Sequence, residues 1–361
     1  MSAAPELEIG GLTKRFGDTV AVERVSLAVA QGEFVSLLGP SGCGKTTTLR
    51  MIAGFVLPDE GRVRLRGRDI TDAPSYRRDV GLVFQNYALF PHMTVRGNVG
   101  FGPRMRGRSR REIAERVRWA LDLVQLSAME DRRPSELSGG QQQRVAIARV
   151  LAAGASILLL DEPFSNLDAR LRTRMQEEVR ELQLRLGMAT VHVTHDQDEA
   201  MAMSDRIVIM NAGRVEQIGT PEAVYAGPET VFVAEFMGRC NRLEGTLTRV
   251  STGWALALGE AGSIPIGAPP GATPGAQHRI FIRPEHIRLA PAGSSAADGI
   301  LRGEVERVVY LGARSTAHVR LGSGLPLLVH LPNRPAADHG WRPSGAVDVL
   351  PLPGAIMTLP S

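Results

Sequence analysis

The chain has 361 residues, 43% of them hydrophobic and 22% charged, and its 42 basic and 38 acidic side chains leave a net charge of +4. That length favours two domains, and the composition excludes a disordered or collagen-like chain. The charge is too mild to argue for nucleic acid, and two cysteines, Cys43 and Cys240, exclude a disulfide framework or a four-cysteine zinc site.

The N-terminal stretch Met1–Gly10 lacks the basic flank and apolar run of a signal peptide. No apolar run approaches the roughly 20 residues of a membrane span. The expectation is a chain that stays in the cytosol. To about residue 235, apolar strands alternate with helical stretches. Phe34–Leu38, Ile157–Leu160, Thr190–Val193 and Arg206–Met210 read as strands of a largely parallel α/β sheet. Ser26–Val29, Arg62–Leu65 and the turn Asn211–Gly213 suggest antiparallel additions. Between about Ala88 and Ala155 the pattern is helical, at Arg110–Leu126 and Gln141–Ala153, and predicts an insertion. After about Gly238 the helices fade. The Pro/Gly-rich stretch Ile264–Gly275 reads as a loop. Short runs at Arg279–Arg283, Gly303–Tyr310, Ala317–Leu321 and Leu325–His330 read as a small β-barrel or sandwich. The expected division is therefore 1–237 and 238–361.

Gly39-Pro40-Ser41-Gly42-Cys43-Gly44-Lys45-Thr46 matches G-x-x-x-x-G-K-[ST] at every fixed position. It follows an apolar strand and precedes a helical run opened by Thr47, the context that a phosphate loop requires. The glycines let backbone N–H groups curl around phosphate oxygens, and the helix start adds positive partial charge. Lys45 is suited to the β- and γ-phosphates and Thr46 to Mg²⁺. Lys45 stands out because Lys14 is the only other lysine. Ile157–Leu160 runs into Asp161 and Glu162. A buried parallel strand delivers its last side chains to the ligand-binding edge of the sheet. Asp161 there suits the Mg²⁺ shell, and Glu162 can polarise an attacking water. Ser138-Gly139-Gly140-Gln141 opens an Ala-rich helix, with Ser138 as N-cap and glycines that admit a ligand to the backbone. His192 and His195 are spaced as His-x-x-His, but strand alternation sends them to opposite faces, which argues against a metal site.

These three motifs together closely resemble the signature of the ATP-binding subunits of ABC transporters. Val83–His92, with Gln85, is similar to that family's glutamine loop. Ser165-Asn166-Leu167-Asp168 is similar to its D-loop, and Val193-Thr194-His195-Asp196 to its histidine switch. Phe16 falls where the family places an aromatic against adenine; stacking is the favoured reading and plain core packing the competing one. The resemblance implies an α/β P-loop ATPase domain with a helical insertion, followed by a small all-β, OB-like domain. It implies Glu162, His195 and Gln85 as catalytic residues. Mg²⁺ would be shared by Thr46, Gln85 and Asp161, and ATP would also meet Ser138, Gly139, Gly140, Gln141 and Asp168. Ser138 and Gly140 would act across a head-to-tail pair of chains, on ATP held by the partner's Lys45.

The tail segments Phe232–Gly238, Ile282–Leu289 and Leu311–Ser315 resemble the transport-associated OB-like domain of importers for maltose, glycerol phosphate, polyamines, ferric iron and sulfate. Polyamine and iron types are preferred. The implied partners are a second copy or close paralogue, two membrane permease subunits and a solute-binding protein acting through them, with no nucleic acid. The implied place is the cytoplasmic face of the bacterial inner membrane. The helical insertion and the residues after Gln85 would be the docking surface. A chromosome or DNA-repair ATPase would need long heptad insertions or zinc cysteines, a translation-type protein two ATPase halves, and a P-loop kinase would lack the Ser138 signature. A non-enzymatic OB-fold binder would explain only the tail.

Overall fold

The computed structural model describes residues 4–251, 253–269, 271–294, 299–332 and 344–359. The chain divides into two compact units, Met1–Val224 and Tyr225–Ser361.

The first unit is built on a six-stranded sheet. Its order is Arg214–Gly219, Arg206–Asn211, Phe34–Leu38, Ala189–Thr194, Ile157–Asp161, Val80–Val83. Every neighbouring pair is parallel except the hairpin formed by the first two. Phe34–Leu38, Ile157–Asp161 and Ala189–Thr194 are buried at every position. This is why they read as unbroken apolar runs and not as alternations. Alternate residues still serve different layers: Leu158 and Leu160 join a core with the helical insertion, while Ile157 and Leu159 join a core under the antiparallel strands. The antiparallel additions form a separate four-stranded sheet in the order Thr19–Val29, Leu7–Phe16, Glu60–Leu65, Arg68–Asp69.

Between Val83 and Ile157 there are helices and no strand. Arg110–Leu123 starts on a capping box, with Ser109 accepting from the Glu112 N–H and Glu112 from the Ser109 N–H. Gly139–Ala153 packs against it and against Val80–Val83. The parallel strands all end on one edge. Leu38, Val83, Asp161 and Thr194 therefore launch the four loops that carry the candidate site.

The second unit holds two five-stranded antiparallel sheets on one shared core. One sheet is Ser263–Ile266, Gly253–Ala257, Asn241–Val250, Gln277–Ile282, Ile356–Met357; the other is Ile287–Pro291, Gly345–Pro351, Leu301–Tyr310, Arg314–Leu321, Pro326–Pro332. Part of the expected loop 264–275 is thus strand: Ile264 is buried and pairs with Leu256, so the run extends the sheet before the Pro/Gly residues end it. Pro270 within it lies outside the described residues. The second unit begins ahead of the expected Gly238. Buried Arg283 accounts for this. It donates to the carbonyls of Ala234 and Tyr225 and lies 4.1 Å from the Tyr225 ring, tying the helix Val231–Phe236 to the strands.

Candidate functional site

The loop Gly39–Thr46 joins Phe34–Leu38 to the helix Lys45–Ala53. Two of its glycines are demanded by close backbone approach: a Cβ at Gly39 would lie 2.2 Å from the Met210 carbonyl oxygen, and one at Gly44, where φ is 102°, 2.4 Å from that of Ala21. Lys45 is buried, and its Nζ donates to the carbonyls of Gly39 at 2.7 Å and Pro40 at 2.8 Å. The ammonium is thereby held within the curl of the loop. Cys43 is buried with its Sγ 3.7 Å from the same ammonium.

Thr46 Oγ1 donates to Asp161 Oδ1 at 3.2 Å. A hydroxyl from the loop and a carboxylate from the next strand but one thus converge. Two protein oxygens completed by phosphate and water is the donor set that Mg²⁺ takes, so these residues fit the ion. Burial pushes the Asp161 carboxyl up, against the opposing pull of the Thr46 hydrogen bond. A cation at this position would reverse that. The next residue, Glu162, has a left-handed backbone, φ 46°. Its carboxylate lies 3.2 Å from His195 Nδ1. His195 is exposed, whereas His192 is fully buried, bonded to Ser36 at 3.0 Å and pushed down to about 3 by burial. The two histidines occupy different environments and form no joint site.

The expected glutamine loop and D-loop are fastened together. Gln85 Nε2 donates to Ser165 Oγ at 3.2 Å, Ser165 Oγ donates to the Glu162 carbonyl at 3.0 Å, and Asn166 Nδ2 donates to the Gln85 carbonyl at 3.0 Å. Asp168 caps the helix Ala169–Leu186 by accepting from the Leu171 N–H. Ser138 caps Gly139–Ala153 in a reciprocal box with Gln141. Its oxygen accepts from the backbone while the hydroxyl proton is left to donate. Gly139 and Gly140 face Leu167, Leu171 and Met175, where Cβ contacts would be tight. Phe16 ends the strand Leu7–Phe16, about half exposed, with Lys14 Nζ 5.6 Å from its ring centre. The exposed ring thus lies outside the core, with a cation beside it.

Some residues of the site carry no sequence signal. Arg149, deep in the helix Gly139–Ala153, donates to the Tyr87 and Ala88 carbonyls at 2.9 and 2.6 Å. Both residues have positive φ, so Arg149 holds a strained turn just after Gln85. Asn98 bridges the backbone of Phe90, Met93 and Thr94 in the same loop.

The family described as ABC transporter matches residues 22–165, and the TOBE domain family matches residues 280–359. The spermidine/putrescine import ATP-binding protein PotA of Acidothermus cellulolyticus is 50% identical over 95% of this chain and 87% of that protein. The protein of the same name from Nitratidesulfovibrio vulgaris is 46% identical over 98% and 97%. The chain belongs to the ABC transporter ATP-binding subunits. A solved structure of cbiO1 from Clostridium perfringens, described as part of an ABC transporter complex, matches at 31% identity and a TM-score of 0.58, covering 62% of this chain and 92% of that one. This ABC subunit is therefore an ATP-binding ATPase with a C-terminal TOBE domain. No described helix is long and apolar enough to cross a membrane.

Proposed function

We propose that this chain is the ATP-hydrolysing subunit of a polyamine importer of the spermidine/putrescine class. It works as a head-to-tail pair on the cytoplasmic face of the inner membrane and energises two permease subunits supplied by a solute-binding protein. The observation that carries the ATPase half is the convergence of Lys45, Thr46, Asp161, Glu162 and His195 on one sheet edge. The polyamine half rests on relatives near 50% identity across nearly the whole chain.

In this reading Lys45 exchanges its two loop carbonyls for β- and γ-phosphate oxygens, while the backbone N–H groups of the Gly39–Thr46 loop cradle the rest. Thr46 and Asp161, with Gln85, hold Mg²⁺, which supplies neutralisation of charge developing on the phosphates. Phe16 stacks on the adenine. Glu162 accepts the proton of the attacking water, and His195, 3.2 Å away, fixes the orientation of that carboxylate. Ser138 and its glycines, with Gln141, act across the pair on the nucleotide of the other copy, and Asp168 lies at the same junction. The loop after Gln85 and the helical insertion dock the permease. Because Gln85 is bonded to Ser165 and Asn166, a shift of that loop reaches Glu162.

The test is uptake. Deleting the gene should abolish accumulation of labelled spermidine or putrescine, and the intact chain should restore it while Glu162→Gln should not. Loss of ferric-iron uptake with polyamine uptake intact would overturn the substrate class and leave the ATPase reading standing.

A further inference from the structure

The second sheet of the unit Tyr225–Ser361 carries a set of cationic and donor side chains that ATP chemistry leaves unused. Antiparallel pairing sets Arg307 opposite His318 and Thr316 opposite His330. Arg314, Thr316 and His318 alternate along one strand, so all five side chains belong to one face. The other face is core, filled by Ala317, Val319, Val329 and Leu327. Arg239 adds its charge to the same place, acting on both histidines.

Among the described residues Arg239, Arg307 and Arg314 have no acidic partner. Of the acids on or beside this face, Glu306 is taken by Arg320, Glu285 by the Tyr225 hydroxyl and by His330 Nδ1 at 3.3 Å, and Glu304 stands opposite Arg320 at the far end of the strand. The same face carries two polar atoms without partners. Thr316 is 2% exposed and its hydroxyl bonds nothing, and the buried Nε2 of His330 bonds nothing. Orphaned buried polar groups are costly and call for a ligand or an explanation. Burial first, and then the neighbouring arginines, hold both histidines below their ordinary range, so His330 is a neutral ring at physiological pH. With Nδ1 facing the Glu285 carboxylate, the ring proton sits there and Nε2 is an acceptor.

We propose that this face, formed by Arg239, Arg307, Arg314, Thr316, His318 and His330, binds inorganic phosphate, whose hydrogenphosphate form keeps a P–OH at neutral pH where a monoester has largely lost its last proton. The arginines neutralise its charge and the Thr316 hydroxyl donates to one oxygen. The P–OH of the ligand donates to His330 Nε2. Sulfate, which has no such proton at neutral pH, leaves that acceptor unpaired and is rejected.

The experiment uses the full chain saturated with Mg²⁺ and a non-hydrolysable ATP analogue, so that the Gly39–Thr46 loop is occupied. Inorganic phosphate, glycerol 3-phosphate and sulfate are titrated by calorimetry, with histidine ring NMR signals followed in parallel. Saturable binding of inorganic phosphate, at least about tenfold tighter than sulfate or the ester, with shifts at His330, is expected. Binding of the ester without inorganic phosphate would show that no P–OH is read and would overturn the proposal. Arg307→Gln with Arg314→Gln should abolish binding and leave basal ATPase unchanged. Thr316→Val should weaken it, and His330→Ala should narrow the gap between phosphate and sulfate. No saturable binding of inorganic phosphate, equal binding of sulfate, or binding unaltered in the double arginine variant would each overturn the proposal.

Discussion

In the unit Met1–Val224 nearly every polar side chain of the candidate site is engaged by something close in sequence or on the next loop. Lys45 is held by Gly39 and Pro40, Ser138 by Gln141 and Asp168 by Leu171, while Thr46 meets Asp161. In Tyr225–Ser361 the buried polar atoms of Thr316 and His330 are brought together by strand pairing and left without partners. The first arrangement holds this chain's own site side chains in place before the ligand arrives, apart from the exchange of Lys45 partners. The second makes a site whose satisfaction depends on the ligand. Pre-organisation in the one and orphaned groups in the other are two ways of spending stability on binding.

The contrast can be broken most sharply at Glu162. Glu162→Gln keeps the shape and removes the base, so hydrolysis should fall by about 10²–10⁴-fold while ATP binding persists. The trapped nucleotide should hold a dimer, seen by size-exclusion chromatography with light scattering. A monomer at saturating ATP, or near-normal turnover, would contradict both the base and the paired mechanism. Lys45→Ala should do the reverse, losing phosphate contacts and with them closure.

Arg283 tests the other unit. Arg283→Met strands the Ala234 and Tyr225 carbonyls and should cost that unit about 2–4 kcal/mol, visible as an earlier calorimetric transition. ATP affinity should not change; if it does, the two units are not energetically separable.

Asp161 sharpens the comparison in a different sense. Burial raises its folded-state pKa above the unfolded value. A carboxyl of that kind opposes folding once the pH rises above the unfolded value, and the penalty is full above the folded one. Asp161→Asn should therefore raise Tm of the nucleotide-free protein at neutral pH, a gain that shrinks as the pH falls towards the unfolded value, while abolishing Mg²⁺-dependent turnover. A lower Tm would mean that the bond to Thr46 outweighs burial. The smallest effect is expected at Phe16. Phe16→Ala removes a stacking face worth about 0.5–1.5 kcal/mol, a loss of roughly two- to tenfold in ATP affinity with turnover at saturation unaltered.

The nucleotide motifs were legible because each is a short run whose spacing is imposed by the loop it forms. Gly39 and Gly44 have no alternative with Met210 and Ala21 so close. The strands were legible for a similar reason, since continuous burial leaves continuous apolar runs. Arg149 and Asn98 were not. They act on backbone carbonyls and amides whose orientation comes from the tertiary fold, and an arginine inside a helix reads as a solvated face. The unit Tyr225–Ser361 starts ahead of Gly238 because one buried guanidinium, Arg283, recruits a helix that by sequence belongs to the preceding α/β pattern. The face around Thr316 and His330 rests on register between strands, which no single run encodes.

The left-handed backbone at Glu162 bears on how this protein would respond to selection in the laboratory. A side chain at φ 46° forgoes roughly 1–2 kcal/mol that glycine there would recover. A library screened for heat resistance alone would thus drift towards Glu162→Gly and, by the argument made for burial, Asp161→Asn. Survivors would be sturdy and inert. Any stabilisation campaign should freeze positions 161 and 162 and seek its gains in surface loops, or couple the screen to turnover so that robustness cannot be bought with the catalyst.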